Sequence, residues 1–260
     1  MDNVIIESLA PQLRYRIEAR SDIGGRSEQQ DFAYVGMDEH GAFAVLCDGM
    51  GGTADGGSAS RIAASVMCGE YADYCCRREQ ESVTSFLYHA MVTADDVVSR
   101  RLKHRPSGTT MVAACLNDYR LHWISAGDSR LYILRSGELV QATRDHNYFL
   151  RLREMLESGK ISDEIFDRES RRGEALISYV GMGGITLFDL SQQELMTRPG
   201  DMLLLATDGL FRVLNHEDIR STLLTDSDIM EKADRLMELV GLRAEKSVQD
   251  NTTFILLEVL

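Results

Sequence analysis

Four aspartates of this sequence stand where apolar, strand-like segments end or begin. Asp48 ends the apolar run of AVLCDGMGG, Asp208 follows LLLAT, and Asp250 precedes NTTFILL. Asp128 lies in the Gly-Asp-Ser turn of HWISAGDSRLY. Carboxylates that converge at strand ends repel one another unless cations neutralise them, and their hard oxygens select Mg²⁺ or Mn²⁺. The pattern predicts a divalent-metal site, although any single Asp-Gly is also typical of a turn aspartate that caps its own backbone.

Glycines surround the first of these acids. The ten residues from Asp48 to Gly57 contain five glycines, which lose more backbone entropy on folding than other residues. Glycine beside an acid lets backbone carbonyls and water approach an ion. We expect Gly51 and Gly52 to turn the chain away from the site, and Ser58 to cap the helix that follows.

An arginine offers a possible anion-binding group. Arg26 precedes Asp31 by five residues in SDIGGRSEQQDF. The planar fork of a guanidinium matches phosphate oxygens in a way that a lysine does not. The alternative is a solvated surface arginine.

The composition limits the class of protein. The chain has 260 residues, of which 44% are hydrophobic, and a formal net charge of −13. The negative charge argues against non-specific binding to nucleic acid or anionic membranes. No apolar run approaches the roughly 20 residues that span a bilayer, and the acidic N-terminus is not a secretory signal. The five cysteines form no C-x-x-C pair, so we expect neither a disulfide framework nor a zinc site, and a cytoplasmic location.

Short strands and amphipathic helices must position these residues. The patterns predict strands at 14–20, 32–37, 42–47, 109–116, 121–126, 131–134, 201–206 and 252–259. The three strands between 109 and 134 read as an antiparallel meander. Helices are predicted after Ser58 and over 83–102, and Asn215 and Ser227 are predicted N-caps of two more. Because strands and helices come in blocks, the chain is predicted to be α+β, with antiparallel sheets covered by helices.

These segments together resemble a known family. In order, the matching pieces are GGRSEQQD, VLCDGMGG followed by GGSAS, SGTT, SAGDSRLY, TRDHN, LLLATDGL and QDNTT, from residue 21 to 254. They resemble the metal-dependent protein phosphatases, the type 2C serine/threonine family, and in particular its bacterial branch. The resemblance implies one domain over 1–260, built as a sandwich of two antiparallel β-sheets flanked by α-helices on both sides.

The resemblance also implies a binuclear Mn²⁺ or Mg²⁺ centre at one end of the sandwich. Asp48 would bridge the two metals, and Asp208 and Asp250 would complete the ligands of the first. The carbonyl of Gly49 would serve the second metal. With Asp208, Asp128 would hold a third ion.

Two further residues take roles from the resemblance. Asp31 matches the acid that orients metal-bound waters, and Arg26 matches the phosphate-binding arginine. A metal-activated water would attack phosphorus in line without a covalent phosphoenzyme. Arg26 and the metals would offset the charge on the equatorial oxygens.

The sequence departs from the family pattern at two positions. Gln30 replaces a glutamate that helps to hold the second metal in many members, so we expect weaker binding of that metal. Met50 replaces the histidine proposed as general acid in eukaryotic members. His146 is a candidate for that role, and its alternative is a structural turn histidine. Residues 147–182 correspond to the variable flap, predicted as an exposed helix followed by a turn, and the glycines of YVGMGG at 179–184 are predicted turn residues.

The predicted activity is hydrolysis of phosphoserine or phosphothreonine in proteins, opposing a protein kinase. The expected partners are phosphorylated proteins and a cognate kinase, and the expected state is a monomer. Two alternatives remain open: an inactive relative that binds phosphoproteins, and a hydrolase of small phosphoesters.

Overall fold

The computed structural model describes residues 3–8, 14–50, 55–103, 107–245 and 249–260. The two glycines expected to turn the chain away from the site, Gly51 and Gly52, lie outside these ranges. The strands are β1 (Val4–Ser8), β2 (Tyr15–Asp22), β3 (Asp31–Met37), β4 (Gly41–Met50), β5 (Gly108–Thr109), β6 (Met111–Asn117), β7 (Arg120–Ala126), β8 (Arg130–Arg135), β9 (Glu138–Gln141), β10 (Asp189–Leu190), β11 (Leu195–Met196), β12 (Met202–Ala206) and β13 (Thr252–Val259). The helices are α1 (Asp55–Arg77), α2 (Val83–Arg101), α3 (Tyr148–Glu157), α4 (Asp163–Glu169), α5 (Asp208–Phe211), α6 (His216–Leu223) and α7 (Ile229–Arg243), with a 3₁₀ turn at Ser170–Arg172.

Within the described ranges, the strands form two sheets. The first has the order β1-β3-β4-β6-β7-β10, with β5 beside β4 and β11 beside β7. The second has the order β2-β13-β12-β8-β9. The pairs in both sheets are antiparallel apart from β1 and β3, which run parallel. The sequence patterns did not predict β1. This strand adds one parallel edge strand to a sheet that is otherwise antiparallel.

The sheets pack face to face because successive side chains of a strand point to opposite faces. Leu46 of β4 and Leu203 of β12 meet in the core between the sheets. Their neighbours Val45 and Leu204 point outward, the first into the core under α1 and α2, the second into the core under α6 and α7. The predicted α+β sandwich with helices on both sides is confirmed.

The predicted meander between 109 and 134 is wrong in one respect. β6 and β7 pair in the first sheet, whereas β8 pairs with β12 in the second. The Gly-Asp-Ser turn therefore crosses from one sheet to the other, and Gly127 has a φ of +98° there. Local patterning shows that a segment is a strand but does not show which sheet it joins.

Two predicted caps are also misplaced. Ser58 lies inside α1, which already includes Asp55. The N-cap of α7 is Asp228, whose side chain accepts a hydrogen bond from the N–H of Glu231 at 2.8 Å, rather than Ser227. The cap at Asn215 is confirmed as a reciprocal capping box. Among the described residues, no helix is both long and apolar enough to cross a membrane.

Candidate active site

A cavity of about 480 Å³ opens where strand ends of the two sheets meet. Most of the predicted site residues lie on its wall. With their neighbours, the lining residues include Arg26, Gln30, Asp48, Gly49, Met50, Thr110, Asp128, Glu174, Leu176, Asp208, Arg212, Asp250 and Asn251. The structure therefore brings together residues from distant parts of the chain.

Asp31 is the one predicted site residue that is not on the cavity wall. It lies opposite Asp48 in the antiparallel register of β3 and β4, and it is only 2% exposed. Its Oδ2 accepts a hydrogen bond from the hydroxyl of Thr207 at 3.0 Å. Its Oδ1 is buried without a hydrogen-bond partner. Asp31 thus forms a second layer of negative charge behind the cavity.

Asp48 is held through its backbone, which leaves its side chain available to the cavity. Its N–H donates to the hydroxyl of Thr110 at 3.1 Å, and its carbonyl accepts from the N–H of Thr110 at 2.8 Å. The hydroxyl of Thr109 also donates to this carbonyl, at 2.9 Å. The Thr110 hydroxyl in turn bonds Ser129 at 2.6 Å. The two threonines of the SGTT motif, Thr109 and Thr110, therefore fix the position of Asp48, which the motif alone does not indicate.

Gly49 is required for close approach and not for an unusual backbone angle. A Cβ at this position would stand 2.1 Å from the carbonyl oxygen of Gly56 and 2.8 Å from that of Gln30. The backbone of α1 therefore passes directly against the end of β4. This contact explains the glycine next to Asp48, because a larger residue would push the helix away from the site.

Asp208 and Asp250 reach the cavity from the second sheet. Asp208 begins α5, directly after β12, and its Oδ1 is buried without a hydrogen-bond partner. Asp250 precedes β13 and pairs with Nη2 of Arg26 at 2.6 Å. A Cβ on Gly209 would stand 2.1 Å from the carbonyl of Asn251, so these two chain segments touch.

Asn251 ties the loop that carries Arg26 to the site. Its side-chain amide donates to the carbonyls of Ile23 and Glu28, at 2.9 and 3.1 Å. Its Oδ1 accepts from the N–H of Gln30 at 2.8 Å. This cross-link from the start of β13 holds Arg26 beside Asp250, and it could not be read from the sequence motif alone.

The positions of these carboxyl groups disfavour their charged forms. Burial, followed by the charges of Asp31, Asp208 and Asp128, raises the pKa of Asp48 well above its ordinary value. Burial likewise raises the pKa of Asp31 to about 7 and that of Asp128 to about 6, with Asp208 adding to both. Bound cations relieve this kind of repulsion.

The donor set fits hard divalent cations. It consists of carboxylate oxygens and a backbone carbonyl, which Mg²⁺ and Mn²⁺ prefer, and two of its buried carboxylate oxygens have no hydrogen-bond partner. Among the described residues, no three acidic, histidine or cysteine side chains are already grouped closely enough to hold a metal ion. Arginines instead pair with two of the carboxylates, Arg26 with Asp250 and Arg212 with Asp208.

Arg212 and Glu174 are cavity residues that the sequence analysis did not identify. Arg212 follows α5, and its Nε lies 3.0 Å from Oδ2 of Asp208. Its Nη2 lies 3.3 Å from Oε2 of Glu174, which belongs to the flap segment 147–182. The spacing of Arg212 and Asp208, four residues apart, was the available signal.

His146 does not lie on the cavity wall. The side chain is fully buried, and its Nε2 is 3.3 Å from Oδ1 of Asp189. The structure therefore supports the structural interpretation of His146 and not the general acid. Met50, in contrast, lines the cavity.

The flap segment 147–182 differs from its prediction. It forms two helices, α3 and α4, and a 3₁₀ turn where one helix and a turn were expected. The glycines that follow are turn residues, as predicted. Gly181, Gly183 and Gly184 have positive φ angles, and their N–H groups donate to the buried carboxylate of Asp95 in α2.

Comparisons with known proteins agree with this architecture. A family model described as protein phosphatase 2C matches residues 20–244. The serine/threonine protein phosphatase PstP of Mycobacterium tuberculosis is 30% identical over 250 residues, which cover 94% of this chain and 45% of PstP. The chain therefore spans less than half the length of this relative.

Solved structures show the same fold. The crystal structure of PstP/Ppp from M. tuberculosis has a TM-score of 0.75 and 28% identity, covering 94% of this chain and 98% of that one. A structure of the PstP catalytic domain in complex with two manganese ions has a TM-score of 0.71 and 28% identity, covering 95% of this chain and 98% of that one.

Proposed function

The chain belongs to the protein phosphatase 2C family, and from this premise we propose that it is a metal-dependent protein serine/threonine phosphatase. The observation that carries the proposal is the cavity in which Asp48, Asp128, Asp208 and Asp250 converge beside Arg26. Such a group of buried and partly buried acids beside the half-exposed Arg26 suits a reaction on a phosphate ester.

We assign the metal ligands as follows. Asp48 would be shared by two Mn²⁺ or Mg²⁺ ions, Asp208 and Asp250 would complete the ligands of the first, and the Gly49 carbonyl would serve the second. When bound, the ions supply Lewis acidity and lower the pKa of a bound water. The threonine hydrogen bonds to the backbone of Asp48 keep its carboxylate aimed into the cavity. The resemblance also makes Asp128, with Asp208, a ligand pair for a third ion, but Arg212 already pairs with Asp208 there.

Arg26 and Asp31 act on the substrate and on water. Arg26 is 56% exposed at the cavity, and its guanidinium presents a planar fork to the oxygens of a phosphoryl group. Asp31, behind Asp48, has a carboxylate oxygen without a hydrogen-bond partner among the described residues, which could accept a hydrogen bond from a water. In that role it would orient the attacking water, while Arg26 would orient the phosphate and offset its charge.

We further propose that residues 1–260 form one domain and that the protein is a monomer in the cytoplasm. Its activity would reverse phosphorylation by a cognate protein kinase. The acidic net charge supports the absence of nucleic-acid and membrane partners. The substrates are proteins that carry phosphoserine or phosphothreonine.

The test is hydrolysis of phosphoserine and phosphothreonine peptides with Mn²⁺, with EDTA, and by Asp48→Asn. We expect no turnover in EDTA and a loss of more than about a hundredfold in the variant, beyond the loss typical of groups that only orient a metal ligand. Asp226→Asn, which removes an exposed carboxylate from the α6–α7 loop, is the matched control. Undiminished turnover in Asp48→Asn would defeat the assignment.

The same assay separates the alternatives. Tight phosphopeptide binding without turnover in Mn²⁺ would identify an inactive, phosphoprotein-binding relative. A higher kcat/KM on nucleotides or on p-nitrophenyl phosphate than on phosphopeptides would identify a small-phosphoester hydrolase. The presence of Asp48, Asp128, Asp208 and Asp250 around one cavity favours the phosphatase over the inactive relative.

A further inference from the structure

Arg212 brings a fixed positive charge to the acidic cavity. Its Nε pairs with Oδ2 of Asp208 at 3.0 Å, and its Nη2 pairs with Oε2 of Glu174 at 3.3 Å. A guanidinium stays charged at any pH at which a protein is folded, so this charge is permanent.

The two oxygens of Asp208 have different surroundings. Oδ2 is taken by Arg212, whereas Oδ1 is buried and has no hydrogen-bond partner. Oδ1 can therefore bind a cation while Oδ2 remains paired with the arginine. Asp208 can then serve one metal ion without releasing Arg212.

Asp128 lines the same cavity as Asp208 and Arg212. Carboxylates that share a cavity repel one another unless a cation lies among them. Arg212 brings such a positive charge to this wall, where it pairs directly with Asp208.

We propose that Arg212 is the built-in counter-cation of the Asp128–Asp208 pair and keeps a divalent ion out of this end of the cavity. This inference rests on the proposed metal centre, in which Oδ1 of Asp208 would serve the first metal while Arg212 keeps Oδ2. Glu174, in the flap segment, pairs with the other side of the guanidinium and helps to hold it beside Asp208.

The experiment counts Mn²⁺ ions bound per chain by equilibrium dialysis and calorimetry, without any substrate. We expect two ions for the wild-type protein and three for Arg212→Gln. At the effective dielectric constant of a half-exposed site, removal of one adjacent unit charge should tighten the additional ion by on the order of tenfold or more. Arg212→Lys keeps the charge and should still bind two ions.

Matched variants locate the extra ion. Arg235→Gln removes the same charge from the exposed face of α7, where Arg235 pairs with Glu238, and should leave the count unchanged. Asp128→Asn should leave the wild-type count at two but remove the third ion from Arg212→Gln. Thermal unfolding and circular dichroism check that each variant is folded.

The inference is overturned if Arg212→Gln binds no more Mn²⁺ than the wild-type protein, or if Arg235→Gln gains an ion as well. It is also overturned if Asp128→Asn alone lowers the count. The difference between the variants carries the inference, whereas a wild-type protein that binds no Mn²⁺ would overturn the proposed function instead. The two failures are therefore distinguishable.

Discussion

Replacing Asp31 with asparagine should change the stability of the metal-free protein more favourably at high pH than at low pH. Burial is the main reason that the pKa of this carboxyl rises from 3.8 to about 7, and the charges of Asp208 and Asp250 add to it. Between these two pH values the folded protein holds a proton that the unfolded chain has lost. The contribution of Asp31 to the free energy of unfolding therefore falls as pH rises from about 4 to about 7.

The magnitude follows from the two pKa values of Asp31. By the linkage relation, the ordinary and raised values imply a destabilisation of about 2 kcal/mol at pH 5 and about 4 kcal/mol at pH 8. Asparagine removes this dependence. Its new amide N–H₂ would face the place where Oδ1 has no partner among the described residues, which costs about 1–3 kcal/mol at every pH. The stability of the variant relative to the wild-type protein should thus improve by about 2–3 kcal/mol from pH 5 to pH 8.

The assay is urea denaturation of both proteins in EDTA at pH 5 and pH 8. Asp226→Asn is the control, because this carboxylate is exposed and outside the cavity, and its effect should not change with pH. A difference between Asp31→Asn and the wild-type protein that is equal at the two pH values would refute the reasoning. Adding Mn²⁺ should stabilise the wild-type protein more than the variant, since the ions relieve the repulsion that asparagine has already removed.

Three further outcomes are expected. Gln30→Glu should lower the Mn²⁺ concentration for half-maximal activity by on the order of tenfold, because it restores one negative charge beside the second metal site; an unchanged midpoint in a Mn²⁺ titration would contradict this. Gly49→Ala should cost about 3 kcal/mol in urea denaturation, because its Cβ would stand 2.1 Å from a carbonyl oxygen of α1. Gly69 lies within α1 with open space around it, so Gly69→Ala should instead stabilise the protein by about 0.5–1 kcal/mol. Asp95→Ala should cost roughly 3 kcal/mol or more, because four backbone N–H groups lose their acceptor, whereas Asp96→Ala, which loses only an exposed ion pair, should cost less than about 1 kcal/mol.

Much of the candidate site could be predicted because its acids stand at the ends of strands. Asp48, Asp208 and Asp250 each adjoin a short, continuous apolar run, which is typical of a buried strand. The strand ends then bring them to one edge of the sandwich. Their roles as ligands stay predictions, which the proposed experiments test.

Other parts of the site have no local signal. The pairing of Arg212 with Glu174 joins residues 38 positions apart, one after α5 and one in the flap segment. Neither residue belongs to a motif, and a charged residue in isolation is typical of a solvated surface. Only the packing of the flap segment against the cavity makes them partners.

By itself, the sequence determined the strands, the amphipathic helices, the acids at strand ends and the need for glycine beside Asp48. These features depend on side-chain period, backbone entropy and charge, which act within a few residues of one another. The tertiary structure alone decided that β8 joins the second sheet, that Asp31 lies behind the cavity and that Arg212 pairs with Asp208 inside it. Those outcomes depend on which distant surfaces bury one another, and burial is what turns an ordinary carboxylate into a group that needs a cation.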